Sequence, residues 1–249
     1  MREPVIFLPG ILMPAELRYA ALLDVLGDEV EAVVKDLEIY ATGQPSPAYS
    51  LAAEVAAIDR VADEAGFERF HLYGHSGGGA VALAYVAEHR DRVLSLAIDE
   101  PASDFSLESQ AAVREQALRL QQVPPDEGIT GFIDLMFRTG VARPAPPEGP
   151  PPPWMADRPA GVRAFAAALG DHQVDPGRFR IFTGPVYYSH GSLSHESWDR
   201  MRDRLGSLFP HFVAELYDGL SHMRTSHVAE PDRVARALRA LWSRAGHAA

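Results

Sequence analysis

The pentapeptide Gly74-His75-Ser76-Gly77-Gly78 sets a hydroxyl between residues that lack a β-carbon, and Gly79 follows it. A serine on a sharp strand-to-helix turn must tolerate a strained backbone, and flanking glycines let the chain fold that tightly. The turn would aim the serine oxygen out of a sheet at a helix N-terminus, where amides and the helix dipole favour a developing anion. The context fits: an apolar run ends at Tyr73 and a small-residue helical stretch begins by Ala80. The bland alternative is a glycine-rich turn over 74–79 with an incidental serine. A serine hydroxyl is a weak nucleophile until a base removes its proton, so the ten histidines come next. His75 adjoins Ser76 and points away from it, as pocket wall. His71 reads as a strand residue with an ordinary hydrogen bond. His190 and His195 could suggest a metal pair, but no carboxylate-rich spacing supports one, and a solvated loop is the better reading. His222 and His227 follow the last apolar run.

These residues need elements to position them. Short apolar runs alternate with longer segments of helical period, the pattern of a parallel sheet wrapped by crossover helices. Strands are predicted over 5–8, 30–34, 70–73, 93–98, 186–189 and 212–217. Leu51, Val55, Ile58, Val61, Ala62 and Ala65 mark an amphipathic helix that Gly66 ends; others are predicted over 80–88 and 198–208, with a closing helix around Val234 to Trp242. From about 101 to 185 the rhythm fails. Helical stretches over 110–122, 131–139 and 160–169 surround a tract, 144–153, with seven prolines in ten residues. Such a tract is neither helix interior nor central strand. It is a surface loop of polyproline character, or else a stiff lid edge with Trp154 at its end. The chain thus divides into an α/β core, 1–100 and 185–249, and a helical cap over 101–184.

Composition narrows the function. Of the 249 residues 47% are hydrophobic and 23% charged, which excludes wholesale disorder. Lys and Arg number 23 against 34 Asp and Glu, a net charge of −11, and no basic cluster offsets it. A protein that tracks phosphates needs a positive face, so nucleic acid is not an expected partner. Zero cysteines exclude disulfides, thiolate metal sites and a cysteine nucleophile. The opening apolar run is too short for a secretory segment, and no long uncharged stretch suggests a membrane span. The expectation is a soluble, cytoplasmic protein.

With Phe7-Leu8-Pro9-Gly10-Ile11 leading from the first strand into its loop, the Ser76 pentapeptide, and Asp218-Gly219-Leu220-Ser221-His222 after the last strand, the chain resembles the α/β-hydrolase superfamily. The resemblance implies a mainly parallel sheet of about six strands flanked by helices, without the family's usual first two strands, for which there is no room. It also implies a cap inserted after the strand that follows the elbow helix, where 101–184 falls, and the chain order nucleophile, acid, histidine. His222 is then the base and His227, just before Glu230-Pro231, its rival. Most relatives take the acid from an aspartate after the fifth strand counted here, but this chain has Gly191-Ser192-Leu193-Ser194. A second arrangement uses the end of the strand after the elbow helix, which points to Glu100. Asp99 would face the opposite way, because strand side chains alternate. Glu196 is the runner-up, and a backbone carbonyl or water holding His222 is the remaining alternative. The oxyanion would be held by the backbone N–H groups of Ile11 and Gly77, with Leu12, Met13, His75, Trp154 and Met223 lining the substrate pocket.

The implied chemistry is acyl transfer to water on a small or medium hydrophobic ester, with no metal or organic cofactor and a small molecule as the only partner. Carbon–carbon hydrolysis, perhydrolysis and lyase reactions use the same triad and stay open. Dehalogenase and epoxide hydrolase chemistry is discounted, because the nucleophile there is an aspartate. Ser194 at the usual acid position keeps a non-catalytic binding protein in play. The oligomeric state is left open.

Overall fold

Six strands form one parallel sheet in the order β2-β1-β3-β4-β5-β6: β1 (Glu3–Leu8), β2 (Val30–Val34), β3 (Phe70–His75), β4 (Val93–Asp99), β5 (Val186–Gly191) and β6 (Phe212–Tyr217). The computed structural model describes residues 2–41, 45–145 and 149–246. Every residue of β3 and β5 is buried, as are nearly all of β4. A central strand covered by helices on both faces is mostly apolar, and the polar exceptions in these strands are hydrogen-bonded, His71 with Ser95 and Asp99 with Ser189. β6, at the sheet edge, exposes Val213 and Leu216.

Nine helices surround the sheet among the described residues: α1 (Ala15–Leu26), α2 (Leu51–Glu64), α3 (Gly77–His89), α4 (Leu107–Gln122), α5 (Pro125–Asp134), α6 (Arg158–Asp171), α7 (Ser197–Leu208), α8 (Ser226–Ala229) and α9 (Pro231–Gly246). Alternating strand side chains feed two apolar layers. On one face Ile6, Leu72, Leu96 and Ile98 meet α2 and α3; on the other Val5, Phe7, Tyr73 and Ala97 meet α1 and α9. α3 is buried from Gly77 to Ala87, and only small side chains let a helix lie that close to a sheet. Capping fixes two helix starts: Ser50 Oγ accepts from Ala53 N–H before α2, and Ser106 Oγ from Ser109 N–H before α4.

Helices α4 to α6 lie between β4 and β5, in the predicted insertion. Val113, Leu120, Val162, Phe165 and Leu169 from these helices join the same apolar layer as α2 and α3. Two boundaries differ from expectation. The helix expected over 131–139 is α5, Pro125–Asp134; proline is favoured at a first helical turn, and the chain after it is tied down by a bridge between Phe137 and Ser194. The turn expected over 74–79 shrinks to Ser76 alone, because β3 continues through His75 and α3 starts at Gly77. Of the proline tract 144–153, residues 146–148 lie outside the described residues; its end enters a 3-10 turn, Pro153–Asp157, that carries Trp154. Among the described residues no helix is long and apolar enough to cross a membrane.

Candidate active site

Ser76, the single residue between β3 and α3, holds φ at 52°. Its N–H donates to the Asp99 carbonyl at 3.0 Å, and its own carbonyl accepts from Ala102 N–H at 2.8 Å and Ala80 N–H at 3.1 Å. The strain therefore sits on the serine, while the neighbouring glycines serve close approach. A β-carbon on Gly78 would fall 2.5 Å from the carbonyl oxygens of Leu8 and Pro9.

The register pairs His75 with Asp99, so β3 and β4 end side by side. Glu100, the next residue, also turns left-handed, at φ 47°, and its N–H donates to the Ser189 carbonyl at 3.1 Å. His222, in the loop after β6, bridges the two ends. Its Nε2 lies 3.0 Å from Ser76 Oγ and its Nδ1 2.6 Å from Glu100 Oε2. The other carboxylate oxygen of Glu100 accepts from Gly191 N–H at 2.7 Å. A carboxylate at Nδ1 fixes the proton there and leaves Nε2 free to accept from the serine hydroxyl. All three side chains are buried. Two rings pack on His222: Trp198 stacks at 4.4 Å and 9° between planes, and His75 lies 4.9 Å away at 33°. Trp198 Nε1–H is fixed to the Pro101 carbonyl at 2.9 Å.

Asp99 points to the α1 and α9 side of the sheet with Ala97 and Tyr73, as strand alternation leads one to expect, and its carboxylate lies behind the site, away from His222. Asp99 Oδ1 accepts from Ser189 Oγ–H at 2.6 Å; Oδ2 lies 3.1 Å from His227 Nδ1 and 3.3 Å from His75 Nδ1. Burial opposes the Asp99 charge, but the hydrogen bonds from His227 and His75 hold its carboxyl well below the usual range. Burial likewise pushes His75 far down and His227 down, so both rings are neutral. These three residues bring possible ligand atoms within 4.8 Å of one another. The proton assignments make them a hydrogen-bonded knot, since His227 Nε2 also has its partner, Thr225 Oγ1 at 3.1 Å.

Ile11 and Gly77 are neighbours: a β-carbon on Gly77 would fall 2.6 Å from Ile11 Cγ2. Gly78 N–H donates to the Pro9 carbonyl at 3.0 Å, tying the loop after β1 to α3, and Tyr40 Oη–H holds the Ile11 carbonyl at 2.6 Å. Among the described residues, neither Ile11 N–H nor Gly77 N–H has an acceptor within the protein. A cavity of about 280 Å³ reaches Ser76 and Ile11, walled by Phe165 of the insertion, Trp198, Pro101 and Met136. Arg119, Arg200 and Arg204 line it further out, paired with Glu115 and Glu108.

Most of the expected pocket residues lie elsewhere. His75 is shut behind His222. Leu12 packs into the main core and Met223 against the small cluster of Met136, Phe137, Trp198 and Met201. Trp154 faces Arg158, whose guanidinium sits 5.4 Å from its ring centre, and Met13 is half-buried outside the cavity lining. Glu196 accepts from Thr139 N–H at 3.0 Å, away from His222. His190 is no loop residue: it is buried in β5, 3.0 Å from Asp199, whereas His195 pairs with Ser197. Ser194 is buried, and its hydroxyl has no hydrogen-bond partner among the described residues. Sequence reasoning missed Trp198 and Phe165, whose approach to Ser76 depends on how α6 and α7 pack; an aromatic within a helix carries no signal of that.

A parallel sheet with a serine at the sharp β3–α3 turn and an imidazole reaching it from beyond the last strand defines a hydrolase architecture. The sequence profile of the alpha/beta hydrolase fold matches residues 3–130. The chain belongs to that family. Two curated relatives match a shorter stretch. The dihydrolipoyllysine-residue acetyltransferase component of the acetoin cleaving system of Cupriavidus necator is 38% identical over 80 residues, and the fluoroacetate dehalogenase of a Burkholderia species 36% over 86. Each match covers 32% of this chain but only 21% and 28% of those proteins. Solved structures match nearly throughout: an esterase from Thermogutta terrifontis with TM-score 0.74, 20% identity and coverage of 98% and 90% of the two chains, and MenH from S. aureus with TM-score 0.74, 16% identity and 98% and 94% coverage. At those identities the likeness is one of fold.

Proposed function

We propose that the protein is a serine hydrolase of small or medium hydrophobic esters. The observation that carries this reading is the buried run from Glu100 through His222 to Ser76, with separations of 2.6 and 3.0 Å, that ends at an apolar-walled cavity. Ser76 Oγ attacks the ester carbonyl carbon as His222 Nε2 takes its proton. Glu100 orients the ring and offsets the imidazolium charge. The carbonyl oxygen becomes an oxyanion held by the N–H groups of Ile11 and Gly77, each such donor contributing roughly 3 kcal/mol. Collapse expels the alcohol, protonated by His222. Water, deprotonated by the same nitrogen, then frees the acid and restores the serine.

A cavity of about 280 Å³ suits a short acyl chain, and Phe165, Trp198 and Met136 suit an apolar one. The inserted helices act as the cap over it. A chain without cysteine suits a reducing compartment, and the cytoplasm is the one we assign. Short-chain activated esters should give a stoichiometric burst of alcohol, and a fluorophosphonate should label Ser76. Ser76→Ala should abolish labelling and lower turnover by roughly 10⁴ or more, with an unchanged thermal melt. Turnover near wild type in that variant would overturn the reading.

A further inference from the structure

Asp99 is buried and ionised, yet the steps above give it no task. Its backbone carbonyl holds both the Ser76 N–H and, at 3.2 Å, His75 Nδ1–H, while its carboxylate takes donors from Ser189 and His227 and lies 3.3 Å from His75 Nδ1. We propose that Asp99 is a positioning residue for the base: through His75 it braces one face of the His222 ring, and its fixed negative charge favours the imidazolium that forms there. This inference rests on the serine-hydrolase reading above.

Proton accounting supports the brace. Carboxylate and carbonyl oxygens only accept, so His227 presents Nδ1–H to the Asp99 carboxylate and His75 presents Nδ1–H to the Asp99 carbonyl beside it. His227 Nε2 accepts from the Thr225 hydroxyl, whose oxygen accepts from an Arg18 guanidinium N–H at 3.3 Å. Each ring is thereby held in one tautomer. His75 packs on the His222 ring and Trp198 stacks on it, so the base is confined by two rings as well as at both nitrogens.

Charge accounting supports the second role. The groups facing Asp99 and His222 are Arg18 and Tyr19 from α1, Tyr73 and His75 from β3, Ser76, Glu100, Tyr188 and Ser189 from β5, Trp198 from α7, Tyr217 from β6 and His227 from α8. The tyrosines are neutral phenols, pushed up by burial. At rest the cluster holds two carboxylates, Asp99 and Glu100, against one guanidinium, Arg18. A proton taken by His222 therefore meets a surplus negative charge. Buried charges at such range act through a medium far less screening than water.

The test compares the full chain with Asp99→Asn across pH. Removing the negative charge disfavours the imidazolium, so His222 stays unprotonated to lower pH. The acid limb of kcat/KM should move down by about half a unit to one unit, with kcat reduced about tenfold and KM unchanged. A purely structural role would lower the melting temperature and leave the limb in place, and that result would overturn the proposal. Following the rate of Ser76 labelling by a fluorophosphonate across pH separates the two readings. Wild type that never labels refutes the serine hydrolase, whereas wild type that labels with an unshifted variant profile refutes only Asp99's role. Should Asp99→Asn fail to fold, nitrogen NMR of ¹⁵N-histidine-labelled wild type decides. His75 and His227 should keep neutral Nδ1–H forms throughout the pH range where activity falls, and a titrating His75 would sink the inference.

Discussion

Ser76 and Glu100 reach the same imidazole by the same backbone device, a left-handed residue directly after a strand, at φ 52° and 47°. A non-glycine residue there costs on the order of 1–2 kcal/mol, and in both cases the backbone hydrogen bonds that follow hold the conformation. The carboxylate assignment is testable: Glu100→Gln should lower kcat by roughly 10⁴, while Glu196→Gln, at a side chain that meets Thr139 and His195 and not His222, should leave it within twofold of wild type, ~0.4 kcal/mol. The reverse pattern would reassign the acid. His71 makes a separate prediction about stability. Its ring is buried between Ser95 and Glu3, at 2.7 and 3.2 Å, and burial lowers its pKa from 6.5 to about 4. The unfolded chain therefore binds the proton first as pH falls. Stability is full above the unfolded value of 6.5 and is lost as pH drops toward 4, by about 3 kcal/mol. His75 and His227 act in the same direction. Denaturant midpoints measured across that interval should decline, and His71→Asn should flatten the slope.

The elements that could be foreseen are those whose burial is symmetric. β3, β4 and β5 are covered on both faces, so each stands out as a short, largely apolar or aromatic stretch; α2 carries its apolar face at regular spacing and a serine cap. The inserted helices obey weaker rules. α5 starts at a proline and ends before the stretch that its apolar residues suggested, because Phe137 pairs with Ser194 rather than continuing the helix. The site divides along the same line. Ser76, Glu100 and His222 sit at strand ends and can be placed by counting strands, and they meet as expected. The cavity walls come from packing between α6, α7 and the strand ends, which no local pattern encodes; hence Leu12, Met13, Trp154 and Met223 were misplaced while Phe165 and Trp198 went unseen. The elbow itself yields a paired prediction. Gly78→Ala drives a methyl into the Leu8 and Pro9 carbonyls and should cost roughly 3 kcal/mol. Gly131→Ala, in α5 with open space around it, should instead stabilise by about 0.5–1 kcal/mol. Thermal melts of the two variants check both signs.

At the scale of the molecule, the inserted helices share an apolar layer with α2 and α3, so they have no core of their own. Unfolding should be a single cooperative event: calorimetry should give one peak with equal calorimetric and van't Hoff enthalpies, and an early peak for the insertion alone would contradict the shared layer. The turn after β5, residues 192–196, carries no carboxylate for His222 and does other work. Leu193 N–H donates to the Leu220 carbonyl at 2.8 Å, and Arg138 N–H to the Leu193 carbonyl at 2.9 Å, so the turn clamps the insertion to the histidine loop. In a gene-shuffling experiment this arrangement fixes where crossovers are tolerated. Nucleophile and acid travel as one cassette, set by the pairing of two adjacent strands, whereas the clamp must be inherited together with the partner segment it grips.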